Sequence, residues 1–340
     1  MSLHSVHHAA AAPDQPRRQH RRRRGLRVTG VVALSVAGLL LASTATNLIV
    51  EQVEKSNTVP YGEKVHINEG TINVTRTGDT GPTLVLLNGL GTTAPGLDFA
   101  PLVRELGGYQ VVAVEGFGYG YSDMSARPRT VENIAEEVHE VLAKLDIRAP
   151  YTLVGHSIAG FSTLYYANKY PGEVSAVIGI DPTVPASKAP ASVSGPAEAP
   201  AADYSWAHIP STMGLVRWAT GLGYDKPGGD SFTTAERHQM REMTSWTFGN
   251  QAVTDETFRV GENARKLQDV RYPDTLPVLD FLSQDTMKEQ PDWYGAHERQ
   301  LANVKRHELV VLEGGHYLHW TQAKVMAQKI RDFLSHVGAE

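Results

Sequence analysis

Ser157 lies in Gly155-His156-Ser157-Ile158-Ala159-Gly160, directly after the apolar run 151–154 and before a helical pattern carrying Phe161, Leu164, Tyr165 and Ala167 on one face. A strand-to-helix turn this tight strains its central residue and requires small neighbours, which Gly155, Ala159 and Gly160 supply. The hydroxyl is then held above the strand, at a helix N-terminus whose free N–H groups favour developing negative charge. A serine hydroxyl is a weak nucleophile near neutral pH, so acyl transfer needs a base to take its proton and a carboxylate to orient that base. His316, on the Gly-Gly turn of "LEGGHYLHW", is the candidate base. His319, three residues on, is the competitor and is expected to pack at the start of the final helix. No third ligand cluster or HExxH pattern accompanies these histidines, so no metal is expected. The chain has no cysteine, which excludes a thiol nucleophile and a cysteine metal site.

Elements that could position these groups recur along the chain. After a hairpin pattern around Glu69-Gly70, continuous apolar runs of strand length occupy 83–89, 109–116, 151–155, 174–181, 276–283 and 307–314. Continuous rather than alternating hydrophobicity marks strands covered on both faces. Between them, 130–146 places Val131, Ile134, Ala135, Val138, Val141 and Leu142 at helical spacing behind Thr130, a suitable N-cap. The alternation predicts an α/β fold: a mostly parallel central sheet with helices on both faces. It is interrupted once, at 183–275, which opens on Ala/Pro/Ser-rich text and continues into Trp- and Met-bearing segments. This stretch is expected to form an inserted helical cap between core segments 60–182 and 276–338.

Charge divides the chain unevenly. Residues 1–27 hold seven arginines against Asp14 in a protein of net charge −5, and 28–50 carry no charge at all. A basic arm running into an uncharged segment is a membrane-insertion signal rather than a nucleic-acid arm. Twenty-three residues at about 1.5 Å each cover the hydrocarbon core. The segment 28–50 is therefore expected to be a single-pass anchor, or a signal cleaved near Ser43-Thr44-Ala45. Either outcome exports the domain beyond residue 50, to the outer membrane face or to the medium.

With these residues in hand, the sequence resembles the α/β-hydrolase fold family from about residue 60 to the C-terminus. It departs from the family's Gly-x-Ser-x-Gly at Ala159, a change small enough for the turn to survive. The resemblance implies the chain order Ser, acid, His, with Ser157 as nucleophile and His316 as base. For the acid it implies Asp285, past the strand in "PVLDFLSQDT", with Asp181 at the end of "VIGID" as the alternative; Asp280, inside the strand, would be structural. It also implies an oxyanion hole from the backbone N–H groups of Leu90, in "LLNGLGTT", and Ile158.

The function expected is a serine hydrolase acting on a small-molecule carboxylic ester, or an amide, with no cofactor and no nucleic-acid partner. Cap residues such as Trp206, Met213, Trp218, Trp246 and Phe248 could line an acyl pocket. The alternatives are an aminopeptidase, for which Glu236, Glu242 and Glu256 could hold an amino terminus, a C–C bond hydrolase, and a catalytically silent exported binding protein. Epoxide-hydrolase chemistry is disfavoured, because those relatives use aspartate where this chain has Ser157.

Overall fold

The computed structural model describes residues 15–185, 204–223, 228 and 230–336. Its centre is an eight-stranded sheet: β1 (Glu63–Ile67), β2 (Gly70–Thr77), β3 (Thr83–Leu87), β4 (Gln110–Glu115), β5 (Tyr151–His156), β6 (Val174–Ile180), β7 (Val278–Ser283) and β8 (His307–Leu312). They lie in the order β1-β2-β4-β3-β5-β6-β7-β8. β1 and β2 form an antiparallel hairpin, and β2 meets β4 antiparallel. From β4 to β8 every pairing is parallel, so the loops after β3, β5, β6 and β8 all open at one end.

The strands are apolar throughout because both faces are covered. Along β3, Val85 and Leu87 enter the core layer with Val138, Val141 and Leu164, while Leu84 and Leu86 pack on the opposite layer with Leu102, Met326 and Phe333. The first layer is built by helices Val131–Lys144 and Ala159–Lys169, the second by Ala100–Glu105 and Ala323–Ser335. Thr130 caps Val131–Lys144 by accepting from the Asn133 N–H.

Between β6 and β7 the described residues form helices Leu215–Gly221, Thr234–Thr247 and Gln251–Leu267 with shorter turns at 205–212, and no strand. The Ala/Pro/Ser-rich entry to this cap, 186–203, lies outside the described residues. Thr233 and Glu236 close a reciprocal capping box on Thr234–Thr247, and Asn250 caps Gln251–Leu267.

At the N-terminus one helix runs from Gln15 to Asn57. Its stretch Val28–Asn57 is long and apolar enough to cross a membrane, with none of its most apolar window buried against the protein. Toward its C-terminal half the helix docks on the cap. Ser43 donates to the Met213 carbonyl at 2.7 Å and Asn47 to that of Ser211 at 3.1 Å. Arg217 Nε donates to Asn47 at 2.8 Å, and Trp246 donates to Glu54 at 2.9 Å.

Candidate active site

Ser157 follows β5 immediately and has φ 54°, a left-handed conformation rare for any residue with a side chain. Hydrogen bonds hold it there: its N–H donates to Ile180, and its carbonyl accepts from Gly160 at 2.9 Å and Thr183 at 2.8 Å. Gly160 is required by space, since a Cβ would lie 2.5 Å from the Thr183 carbonyl. Ala159, where the family pattern has glycine, opens the helix and is buried without disturbing the turn.

The Ser157 hydroxyl donates to His316 Nε2 at 2.7 Å, and His316 Nδ1 donates to Asp181 Oδ2 at 2.6 Å. Asp181 stands directly after β6, fully buried and itself at φ 44°. It accepts from four donors. Ser283 N–H and Trp293 Nε1 reach Oδ1 at 2.9 and 2.8 Å, while the Thr286 hydroxyl and His316 reach Oδ2. Three of these partners, Ser283 at the end of β7 and Thr286 and Trp293 after it, lie more than a hundred residues away in the chain.

The geometry places Asp181, the alternative acid, and not the expected Asp285 against His316. After β7 the chain enters helix Gln284–Glu289 at once, with Ser283 as its N-cap. That puts Asp285 in the first helical turn, where its exposed carboxylate pairs with Lys288 at 2.7 Å. Asp280 is buried inside β7, where loss of water raises its pKa to about 6, the neighbouring Asp181 charge adding to the shift and His297 opposing it.

Leu90 and Ile158 border the cavity of about 360 Å³ that contains Ser157, His316 and Trp293. Among the described residues neither backbone N–H donates a hydrogen bond, so both are free to meet an anionic oxygen. Gly89 allows the loop to approach, because a Cβ there would lie 2.7 Å from His156 Nδ1 and 3.1 Å from Ser157 Cβ.

Sequence reasoning missed a second histidine layer. His156 is fully buried beside Ser157, and its pKa is held well below the usual imidazole value by desolvation and then by the neighbouring His319 and His316. The neutral ring approaches the His316 carbonyl through Nε2 at 3.2 Å. His319 is buried at the start of the last helical segment, with Nε2 on Asp98 at 2.7 Å, and Trp320 donates to the other Asp98 oxygen. The ligand atoms of Asp98, His156 and His319 lie within 4.8 Å of one another, a donor set a metal could use. Both Asp98 oxygens and the Nε2 atoms of the two histidines are engaged in this bonding, while Nδ1 of His156 and Nδ1 of His319 are buried without a hydrogen-bond partner, the former against the Gly89 Cα, where even a methyl group would be too close. The cluster braces the loop bearing His316.

The cap carboxylates considered for an amino terminus are otherwise occupied. Glu236 closes the capping box, Glu242 accepts from Thr58, and Glu256 accepts from Tyr119. None borders the Ser157 cavity. A larger cavity of about 520 Å³ adjoins it across Leu90 and is mainly apolar, lined by Trp206, Phe248, Val253 and Phe258.

Comparison with known proteins agrees with this topology. A family model described as alpha/beta hydrolase fold matches residues 82–215. The chain has the α/β-hydrolase fold. It is 26% identical over 260 residues to the uncharacterized protein YbdG of Bacillus subtilis (strain 168), covering 74% of this chain and 79% of the relative. The crystal structure of epoxide hydrolase VrEH1 from Vigna radiata superimposes with TM-score 0.60 at 16% identity, over 81% of this chain and 98% of that one. A membrane phospholipase A, described as a novel bacterial virulence factor, superimposes with TM-score 0.56 at 19% identity, over 94% of this chain and 100% of the other. At these identities the likeness is one of fold.

Proposed function

We propose that the protein is a serine hydrolase of carboxylic esters. Ser157 Oγ attacks the ester carbonyl as its proton passes to His316 Nε2, and the N–H groups of Leu90 and Ile158 receive the oxyanion. Collapse of the tetrahedral intermediate expels the alcohol, which takes the proton back from His316. Water, deprotonated by the same nitrogen, then releases the acid and restores Ser157. Asp181 holds His316 in the tautomer that leaves Nε2 free to accept and stabilises its charged form. The observation that carries this reading is the continuous line of hydrogen bonds from Ser157 through His316 to Asp181.

Neighbours of this fold include both an epoxide hydrolase and a phospholipase A. Serine at the strained turn supports the ester reading, because the alkyl-enzyme route of the former uses a carboxylate nucleophile there. We further propose that Val28–Asn57 is a retained anchor with the catalytic domain outside. Support comes from Ser43, within the small-residue cleavage pattern, and from Asn47, both of which bond to the cap.

The test is a panel of p-nitrophenyl esters of graded acyl length, given to the full chain in detergent and to Ser157→Ala. Turnover by the wild type with at least about a thousandfold loss in the variant supports the proposal. Equal inertness of two folded proteins refutes it.

A further inference from the structure

The docking of the N-terminal helix sets the depth at which the cap sits. Crossing a hydrocarbon core takes about 20 helical residues. Counted outward from Val28, the first residue past the arginines, that length ends at Asn47. Sliding the helix outward to free Ser43 and Asn47 from the bilayer would pull Arg27 and then Arg24 into hydrocarbon, which is costly. Yet Ser43 and Asn47 are the residues that the cap grips: Met213 accepts from Ser43, Trp218 Nε1 donates to it at 3.1 Å, and Ser211 accepts from the buried Asn47. The segment 205–222 therefore lies at the membrane boundary.

The surface that the segment presents there suits such a place. Leu222 is 80% exposed and Trp218 65%, and Trp206, Ile209 and Leu215 stand about half exposed alongside. Indole rings concentrate at the headgroup level, where the ring is apolar and its N–H can stay bonded. Trp206 and the half-exposed Phe248 also border the 520 Å³ apolar cavity, which meets the Ser157 cavity at Leu90.

We propose that the cap face bearing Trp206, Ile209, Leu215, Trp218 and Leu222 is seated in the lipid interface, and that the cavity behind Trp206 and Phe248 receives an acyl chain of a membrane-resident ester. The substrate half of this statement rests on the ester-hydrolase reading; the membrane contact does not.

The experiment reads the two separately. Full-length Ser157→Ala is reconstituted in vesicles of phosphatidylethanolamine and phosphatidylglycerol with brominated acyl chains, and tryptophan quenching is compared with that of Trp206→Phe/Trp218→Phe in the same background. The expected result is quenching that falls roughly twofold or more in the double variant, since Trp246 and Trp293 are buried in protein and Trp320 is partly buried, bonded to Asp98 and stacked on Tyr317. Absent quenching, or quenching unchanged by the substitutions, overturns the membrane contact, as would burial of the face by a second copy of the chain. In active protein, Ile209→Glu/Leu222→Glu, which touches neither cavity, should slow hydrolysis of vesicle phospholipid about tenfold while a dissolved p-nitrophenyl ester is cleaved within about twofold of wild type. Parallel loss on both substrates would overturn the delivery route. An inert protein that still shows the quenching pattern would refute the ester reading alone.

Discussion

Replacing Asp181 by asparagine separates its role from that of Asp285 with little change of volume. The Asn carbonyl can take the place of Oδ1 and keep the donors from Ser283 and Trp293, 2.9 and 2.8 Å away. Its amide nitrogen then replaces Oδ2 and faces the Thr286 hydroxyl and His316 Nδ1. The hydroxyl can rotate to accept. His316 can accept only by giving up the Nδ1 proton, which moves the ring's hydrogen to Nε2, where it meets the Ser157 hydroxyl and blocks proton transfer. The expected loss is therefore in kcat, about ten-thousandfold, with stability reduced by only about 1–2 kcal/mol because most bonds survive. Asp285→Ala removes an exposed ion pair with Lys288 and should leave kcat within about twofold. The assay is steady-state hydrolysis of p-nitrophenyl butyrate by the detergent-solubilised full chain, with thermal unfolding run in parallel. Asp181→Asn retaining more than about a tenth of wild-type activity, or Asp285→Ala losing more than about a hundredfold, would refute this assignment of the acid.

Other perturbations have outcomes fixed by the same structure. Asp280, with its pKa raised from 3.8 to about 6, keeps a proton in the folded state that the unfolded chain has released between those values. Its contribution to stability should thus fall as pH rises through that window and level off above it; Asp280→Asn should make the slope shallower, leaving the share of the buried Glu115, Glu137 and Glu256, whose pKa values burial also raises, and gain about 2–3 kcal/mol at pH 8 but nothing at pH 4, as read by denaturant unfolding. Trp293→Phe removes one of the four donors to Asp181 and should lower kcat about tenfold with KM little changed, measured on the same ester. Asn47→Leu leaves Arg217 Nε without its partner and frees the Ser211 carbonyl, so unfolding of the cap should come about 1–3 kcal/mol earlier, seen as a lower Tm in detergent.

Much of the fold was legible because the central strands are covered on both faces, which leaves no polar alternation in runs such as 83–87 and 151–154. Ser157 was legible for a local reason: only small residues fit around a φ of 54°, and the sequence places Gly155, Ala159 and Gly160 there. His316 could be placed by its position after the last strand. The carboxylate could not, because aspartates come after both β6 and β7 in the chain. The choice depends on Ser283 starting a helix immediately, and on Thr286 and Trp293 returning to Asp181, a convergence with no mark in the local text. The Asp98 and His319 pair, 221 residues apart, was hidden for the same reason. Ser43 read as part of a cleavage pattern, since a small polar residue in an apolar run looks alike whether it meets a peptidase or a carbonyl of the cap.

The central claim is that Ser157 carries an acyl group during turnover, and the direct measurement is acid-quenched mass spectrometry of the full chain mixed with p-nitrophenyl butyrate. The expected result is one added butyryl group on the peptide containing Ser157, with no label in Ser157→Ala. A label on another residue, or turnover of the ester with Ser157 never modified, would contradict it.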